Sequence, residues 1–223
     1  MTHASLPERL GLACGIIGPL WWGVMIAWCA SRFPGYSHVT DFISELAARD
    51  APTADLMRVA GFYVTGLLYL LFAAAAAWRL RARPLALAGV ALVALSGAAR
   101  IGTGYFPCEP GCDPSIISRA QEWHHAYARA GYAAMMLAAL FVGIGVRRER
   151  ALAHLFAGGI GVAIWTLVVL FYMQFSEERA GLFQRLASVL LSGWVLVFAV
   201  SLWCAATATP GAATASPARR SRA

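Results

Sequence analysis

Long apolar runs separated by short polar stretches make up almost the whole chain. The runs lie at about 10–31, 56–79, 85–105, 124–146, 152–173 and 183–205. Each approaches the roughly 20 residues a helix needs to cross about 30 Å of hydrocarbon. Lipid offers no partner to an unpaired backbone N–H or C=O, so a run that crosses it must be helical. The pattern predicts an all-α fold: a polytopic bundle of six transmembrane helices over 1–206, with a small, Pro-bearing, basic tail at 207–223 read as disordered and cytoplasmic. A secretory signal peptide is the alternative for the first run. Its length, its three tryptophans (Trp21, Trp22 and Trp28) and the lack of a small-x-small cleavage site favour a retained helix.

The polar stretches are unequal. In the first long loop, PGYSHVTDFISELAARDAP, Thr40 is suited to cap a short interfacial helix with Asp41 in its first turn and Phe42, Ile43 and Leu46 along an apolar edge. Ser44 and Glu45 would then hang over the mouth of the bundle, with Glu45 placed to meet an arginine or a histidine. Thr53, with Asp55 behind it, is the expected cap of the second span. The second long loop contains FPCEPGC, where the turn-forming Pro110–Gly111 pair draws Cys108 and Cys112 together. A local disulfide is expected there ahead of free thiols or metal ligands. Cys14, Cys29 and Cys204 fall in or beside apolar spans and read as small core residues. Asp113 followed by Pro114 has the form of a helix N-terminus. A helix running on from there puts Ser118, Glu122, His125 and Arg129 on one face as a polar stripe entering the membrane, with His124 about 100° away from His125.

Composition and charge fit this reading. Hydrophobic residues make up 60% of the 223 and charged ones only 13%, more apolar surface than one soluble core of this size can hide. All 18 basic residues are arginine. Arg9, Arg79, Arg81, Arg83, Arg147, Arg148, Arg150 and the arginines of the tail flank one side of the spans; the other side carries most of the acids. The positive-inside rule makes the first side cytoplasmic, with both termini inside the cytoplasmic membrane and both long loops outside. The formal charge of +7 is spread over these short flanks, which argues against a nucleic-acid surface and leaves membrane lipid as the expected partner. Nothing in the chain specifies an oligomer.

The order of PGYS and ISEL in the first loop, then CEPGC and a histidine-bearing fourth helix, resembles a bacterial and archaeal membrane family called domain of unknown function 998, over roughly residues 10–205. The resemblance singles out Pro34, Gly35, Ser37, Ser44, Glu45, Pro107, Asp113 and one of His124 or His125. Where the family has SELG this chain has SELA at 44–47. The family implies an architecture and a site location and no reaction.

Arg100 and Arg129 lie at or near membrane depth, where an arginine faces the bundle interior and finds an anionic partner, or snorkels to the interface. Four functions compete. A binding protein would hold a lipid headgroup or small anion on Arg100 and Arg129, tuned by Glu45. An intramembrane hydrolase acting on lipid would draw its catalytic groups from Ser44, Glu45, Glu122, His124 and His125. Its zinc ligands, if it uses zinc, would come from Glu45, Asp113, His124 and His125. A transporter would need a polar path or repeated halves, which the spans do not show. The outer polar cluster as a staple between loops and helices is the remaining alternative.

Overall fold

The computed structural model describes residues 5–113 and 115–207. Pro114 and the tail beyond Thr207 lie outside the described residues, as does the side chain of Glu177. Among the described residues six helices are long and apolar enough to span a membrane: α1 (Leu6–Ala30), α2 (Ala54–Leu80), α3 (Pro84–Tyr105), α4 (Arg119–Val146), α5 (His154–Met173) and α6 (Ala180–Thr207). Pro7 and Pro84 fall in the first turns of α1 and α3, where no intrahelical N–H is lost. Within α2, Met57–Tyr63 is a π-helical stretch. Phe62 of that stretch is one of the residues lining the cavity described below.

The helices form a closed ring in chain order. Each packs on its sequence neighbours, and α6 returns to α1. Association inside lipid relies on close packing more than on water release, so small residues sit where backbones approach. Gly66 of α2 and Gly97 of α3 face each other, and a Cβ on Gly66 would stand 2.6 Å from the Gly97 carbonyl oxygen.

The ring is plugged over the half nearer the N-terminus by one core cluster that includes Leu12, Phe72, Val90, Val142, Leu155 and Phe198. Large apolar side chains such as Leu67, Leu95, Ile164, Leu167 and Val189 point outward, as a lipid-facing surface requires. At this end Arg79 pairs with Glu8 at 3.2 Å, joining α2 to α1, and Arg83 pairs with Glu149.

At the other end the two long loops fold over the ring. The short helix of the first loop is a single 3-10 turn, Ile43–Ala47, and Ile43, Leu46 and Ala47 are buried against the bundle mouth. Phe42 occupies its N-cap position in place of Thr40, whose hydroxyl instead donates to Asp41 Oδ1. Thr53 does precede α2, but its hydroxyl donates to the Leu46 carbonyl and caps nothing.

The start of α4 differs more. Its N-cap is Ser118, whose Oγ accepts from the Gln121 N–H, so Asp113 does not begin the helix. Asp113 instead accepts from the Ser115 N–H at 2.8 Å within the loop. Hydrogen bonding from the Ser115 side chain, and then from this N–H, holds its exposed carboxyl below the usual range.

Candidate functional site

Beneath the first loop the ring encloses a cavity of about 70 Å3, lined by α1, α2, α3, α4, α6 and the Ile43–Ala47 turn. One water needs about 10–15 Å3, so the space takes several waters or one small polar group. Among the described residues no carboxylate lines it.

Arg100 enters from α3. Its guanidinium carbon lies 4.1 Å from the centre of the Trp22 ring and 5.5 Å from that of Tyr69. Both rings are held from behind by α6: Trp22 Nε1 donates to Ser188 Oγ at 2.9 Å, and the Tyr69 hydroxyl donates to Ser192 Oγ at 3.3 Å. The aromatic faces are therefore fixed as a seat for a cation. What the seat lacks is an anion. Arg100 Nε is buried without an acceptor, and among the described residues Arg100 forms no ion pair.

His124 of α4 reaches the same cavity and is 2% exposed. Its Nδ1 stands 2.8 Å from the Phe106 carbonyl oxygen and 3.1 Å from that of Thr103, at the unwinding end of α3. Carbonyls only accept, so Nδ1 carries the hydrogen and Nε2 keeps the lone pair. These bonds also satisfy carbonyls that the helix end leaves unpaired. The orienting partners of His124 are thus backbone oxygens, where a hydrolytic dyad would use a carboxylate.

The first loop closes the cavity, with Ser44 on its inner side. It is latched to α6. The Gly181 and Leu182 N–H groups in the first turn of α6 donate to the Thr40 and Val39 carbonyls. Gly181 is needed for this approach, since a Cβ there would lie within 3 Å of the Asp41 backbone. Gln184 Oε1 accepts from the Ile43 N–H at 2.5 Å. Arg185 donates to the Asp41 carbonyl (2.7 Å), to His38 Nδ1 (3.1 Å) and to the Tyr36 hydroxyl. The Tyr36 hydroxyl donates onward to the Phe42 carbonyl at 2.9 Å. Burial pushes the Tyr36 phenol up to about 12 despite the neighbouring Arg185, so it remains a donor. Burial, and then Arg185, lower the His38 imidazole.

Glu45 turns back on its own loop and accepts the Phe42 N–H at 2.8 Å. Burial raises its carboxyl, and that hydrogen bond works in the opposite direction. Cys108 and Cys112 form a disulfide on the outer side of Ser44, with Cys112 Sγ 3.4 Å from Ser44 Oγ. Arg49 ties the loops together by pairing with Glu109 at 3.3 Å and donating its backbone N–H to the Cys108 carbonyl.

Of the residues singled out from the sequence, Arg100, Ser44 and His124 meet at the cavity. Arg129, Glu45, Glu122, His125 and Asp113 do not line it. The stripe Ser118, Glu122, His125, Arg129 lies away from the interior, with Glu122 and Arg129 exposed. The inward face of α4 carries Gln121 and His124 instead.

Gln121 was not among the expected residues. It is 3% exposed, donates to the Asp113 and Ile116 carbonyls and accepts from the Glu109 N–H, bracing the disulfide loop. Gln184, Ser188 and Ser192 were missed too. Their spacing of four on an apolar helix was the available signal.

A family model described as protein of unknown function (DUF998) matches residues 16–201. No curated protein and no solved structure matches the chain.

Proposed function

The chain belongs to the DUF998 family, and we propose that it is a multi-pass membrane protein that binds a small anionic group, such as a phosphate or a lipid headgroup, in the cavity beneath its first loop. One observation carries this reading: Arg100 sits in a cavity that no carboxylate of the described residues lines, stacked on Trp22 and Tyr69, with a buried N–H that has no acceptor among them. A guanidinium whose buried N–H has no acceptor is costly unless an anion meets it. An oxyanion there gains charge-assisted bonds from a donor already oriented. The nearby hydroxyls of Ser44 and Ser96 are suited to the remaining oxygens.

In this reading the loop end of the bundle faces outward and both termini are cytoplasmic, because the arginine-rich flanks lie at the opposite end. The apolar floor, with Met135 and Leu191, suits the first carbons of an acyl chain. A lipid phosphate and a free phosphate present the same chemistry to Arg100.

The test is thermal unfolding of the delipidated protein in a non-ionic detergent. Inorganic phosphate and a short-chain phosphatidylglycerol are titrated separately. A ligand that binds the native state stabilises it by about 2.7 kcal/mol at one hundred times its Kd, so the melting temperature rises with whichever probe is accepted. A midpoint unmoved by either, up to millimolar concentration, refutes the proposal.

A further inference from the structure

We infer that Cys108, Cys112 and His124 form a zinc site when the disulfide is reduced. One ligand atom from each of the three lies within 4.8 Å of the others, and all three residues are buried. Zinc–sulfur bonds of about 2.3 Å and zinc–nitrogen bonds of about 2.0 Å place tetrahedral ligands roughly 3.5–3.8 Å apart. Once the disulfide is reduced the two sulfurs move apart to that spacing, and the imidazole closes on them by about 1 Å to reach a common ion. Two thiolates with one imidazole are a soft set that selects zinc over calcium or magnesium.

The surroundings are those of a metal ligand. His124 donates Nδ1–H to backbone carbonyls, the arrangement that fixes the tautomer and leaves Nε2 free to coordinate. Gln121 clamps the loop that presents both cysteines. Gly111 and Cys112 take positive φ angles of 64° and 49°, so the chain folds back and both sulfurs come to the same side. Ser44 Oγ, 3.4 Å from Cys112 Sγ, or a water from the cavity completes four ligands.

The chemistry balances with a dithiol as reductant. The dithiol gives up two electrons and two protons and closes to its own disulfide, the Cys108–Cys112 bond breaks, and two thiols result. Zinc then takes both as thiolates and releases two protons. The oxidised and zinc-bound states are therefore mutually exclusive. This inference does not rest on the anion reading, since Arg100 is no part of the ligand set.

The experiment compares the full-length protein in detergent, oxidised and dithiol-reduced, after anaerobic removal of the reductant and exposure to zinc. Metal is counted by elemental mass spectrometry and thiols by titration. We expect one zinc per chain in the reduced protein and none in the oxidised one. Cobalt in place of zinc should give a thiolate charge-transfer band, lost in Cys108→Ser and Cys112→Ser, and His124→Asn should weaken zinc binding at least tenfold. Arg100→Met should leave zinc binding unchanged. Two newly titratable thiols without bound zinc would overturn the inference, as would equal zinc in the oxidised protein or in the Cys108→Ser/Cys112→Ser double variant. The comparison of oxidised and reduced wild type holds even if a variant fails to fold.

Discussion

Replacing Arg100 by methionine removes the charge from the cavity while keeping an unbranched side chain between Trp22 and Tyr69. Two quantities should then separate. The first is binding. A hydrogen bond to a charged group contributes about 1.5–3 kcal/mol, and about 1.4 kcal/mol is a factor of ten in Kd. Loss of the guanidinium should weaken phosphate or anionic-headgroup binding by about 10- to 150-fold. The second is folding. The two aromatic contacts, at 4.1 and 5.5 Å, contribute about 0.5–2 kcal/mol each where partly desolvated. Against their loss stands the removal of a buried, unpaired Nε–H. These effects oppose one another, and methionine keeps favourable contacts with aromatic rings. The melting temperature without ligand should therefore move by less than about 4 °C. Isothermal titration with inorganic phosphate and with short-chain phosphatidylglycerol reads the first quantity, and thermal unfolding reads the second. Arg100→Lys, which keeps the charge and loses the planar fork, should fall between wild type and Arg100→Met. A Kd within twofold of wild type in Arg100→Met refutes the assignment. A collapse of folded yield would instead make Arg100 a structural residue.

Other predictions concern the loop and the ring. His38 has a lowered pKa, so the unfolded state binds more protons below the ordinary histidine value of 6.5 and stability must fall as pH drops through that window. Protonation places a cation against Arg185, with Asp41 and Tyr36 as the other ionisable neighbours. Thermal unfolding between pH 7.5 and 5 should show the decline, and His38→Asn should flatten it. Glu45→Ala removes the acceptor of the Phe42 N–H, and loss of a cap costs about 1 kcal/mol; faster amide exchange over 40–47 is the readout. Gly97→Leu drives a side chain into the Gly66 carbonyl and should abolish folded yield, whereas leucine at Gly158, which has open space around it, should be tolerated. The proposed orientation, with the arginine-rich flanks inside, predicts an inactive C-terminal alkaline phosphatase fusion and a fluorescent C-terminal green fluorescent protein fusion; the opposite pair of results would overturn it.

The spans were legible because lipid permits one solution to a 20-residue apolar run, and helix identity follows from that alone. The rotation of each helix was harder to read. On α4, Ser118, Glu122, His125 and Arg129 form the more conspicuous polar face, yet it is the Gln121 and His124 face that turns inward. The reason lies outside α4: the last carbonyls of α3 and the carbonyls of the second loop need donors, and His124 and Gln121 supply them. Glu45 was visible as an acid over the bundle mouth, but its backbone partner lies three residues away in its own turn and takes precedence over a distant arginine. Arg100 stood out by its depth alone. Its setting did not, because Trp22, Tyr69, Ser188 and Ser192 come from three other helices and meet only when the ring closes. The Cys108–Cys112 pair was readable from its short spacing and the turn inside it.

Native mass spectrometry of the protein released from mild detergent, wild type beside Arg100→Met, reads the bound anion itself. A phosphate or anionic-lipid adduct should survive on the wild type and be missing from the variant at equal folded yield. Identical adducts on both proteins, or a bare wild-type mass after incubation with anionic lipid, would contradict anion binding at Arg100.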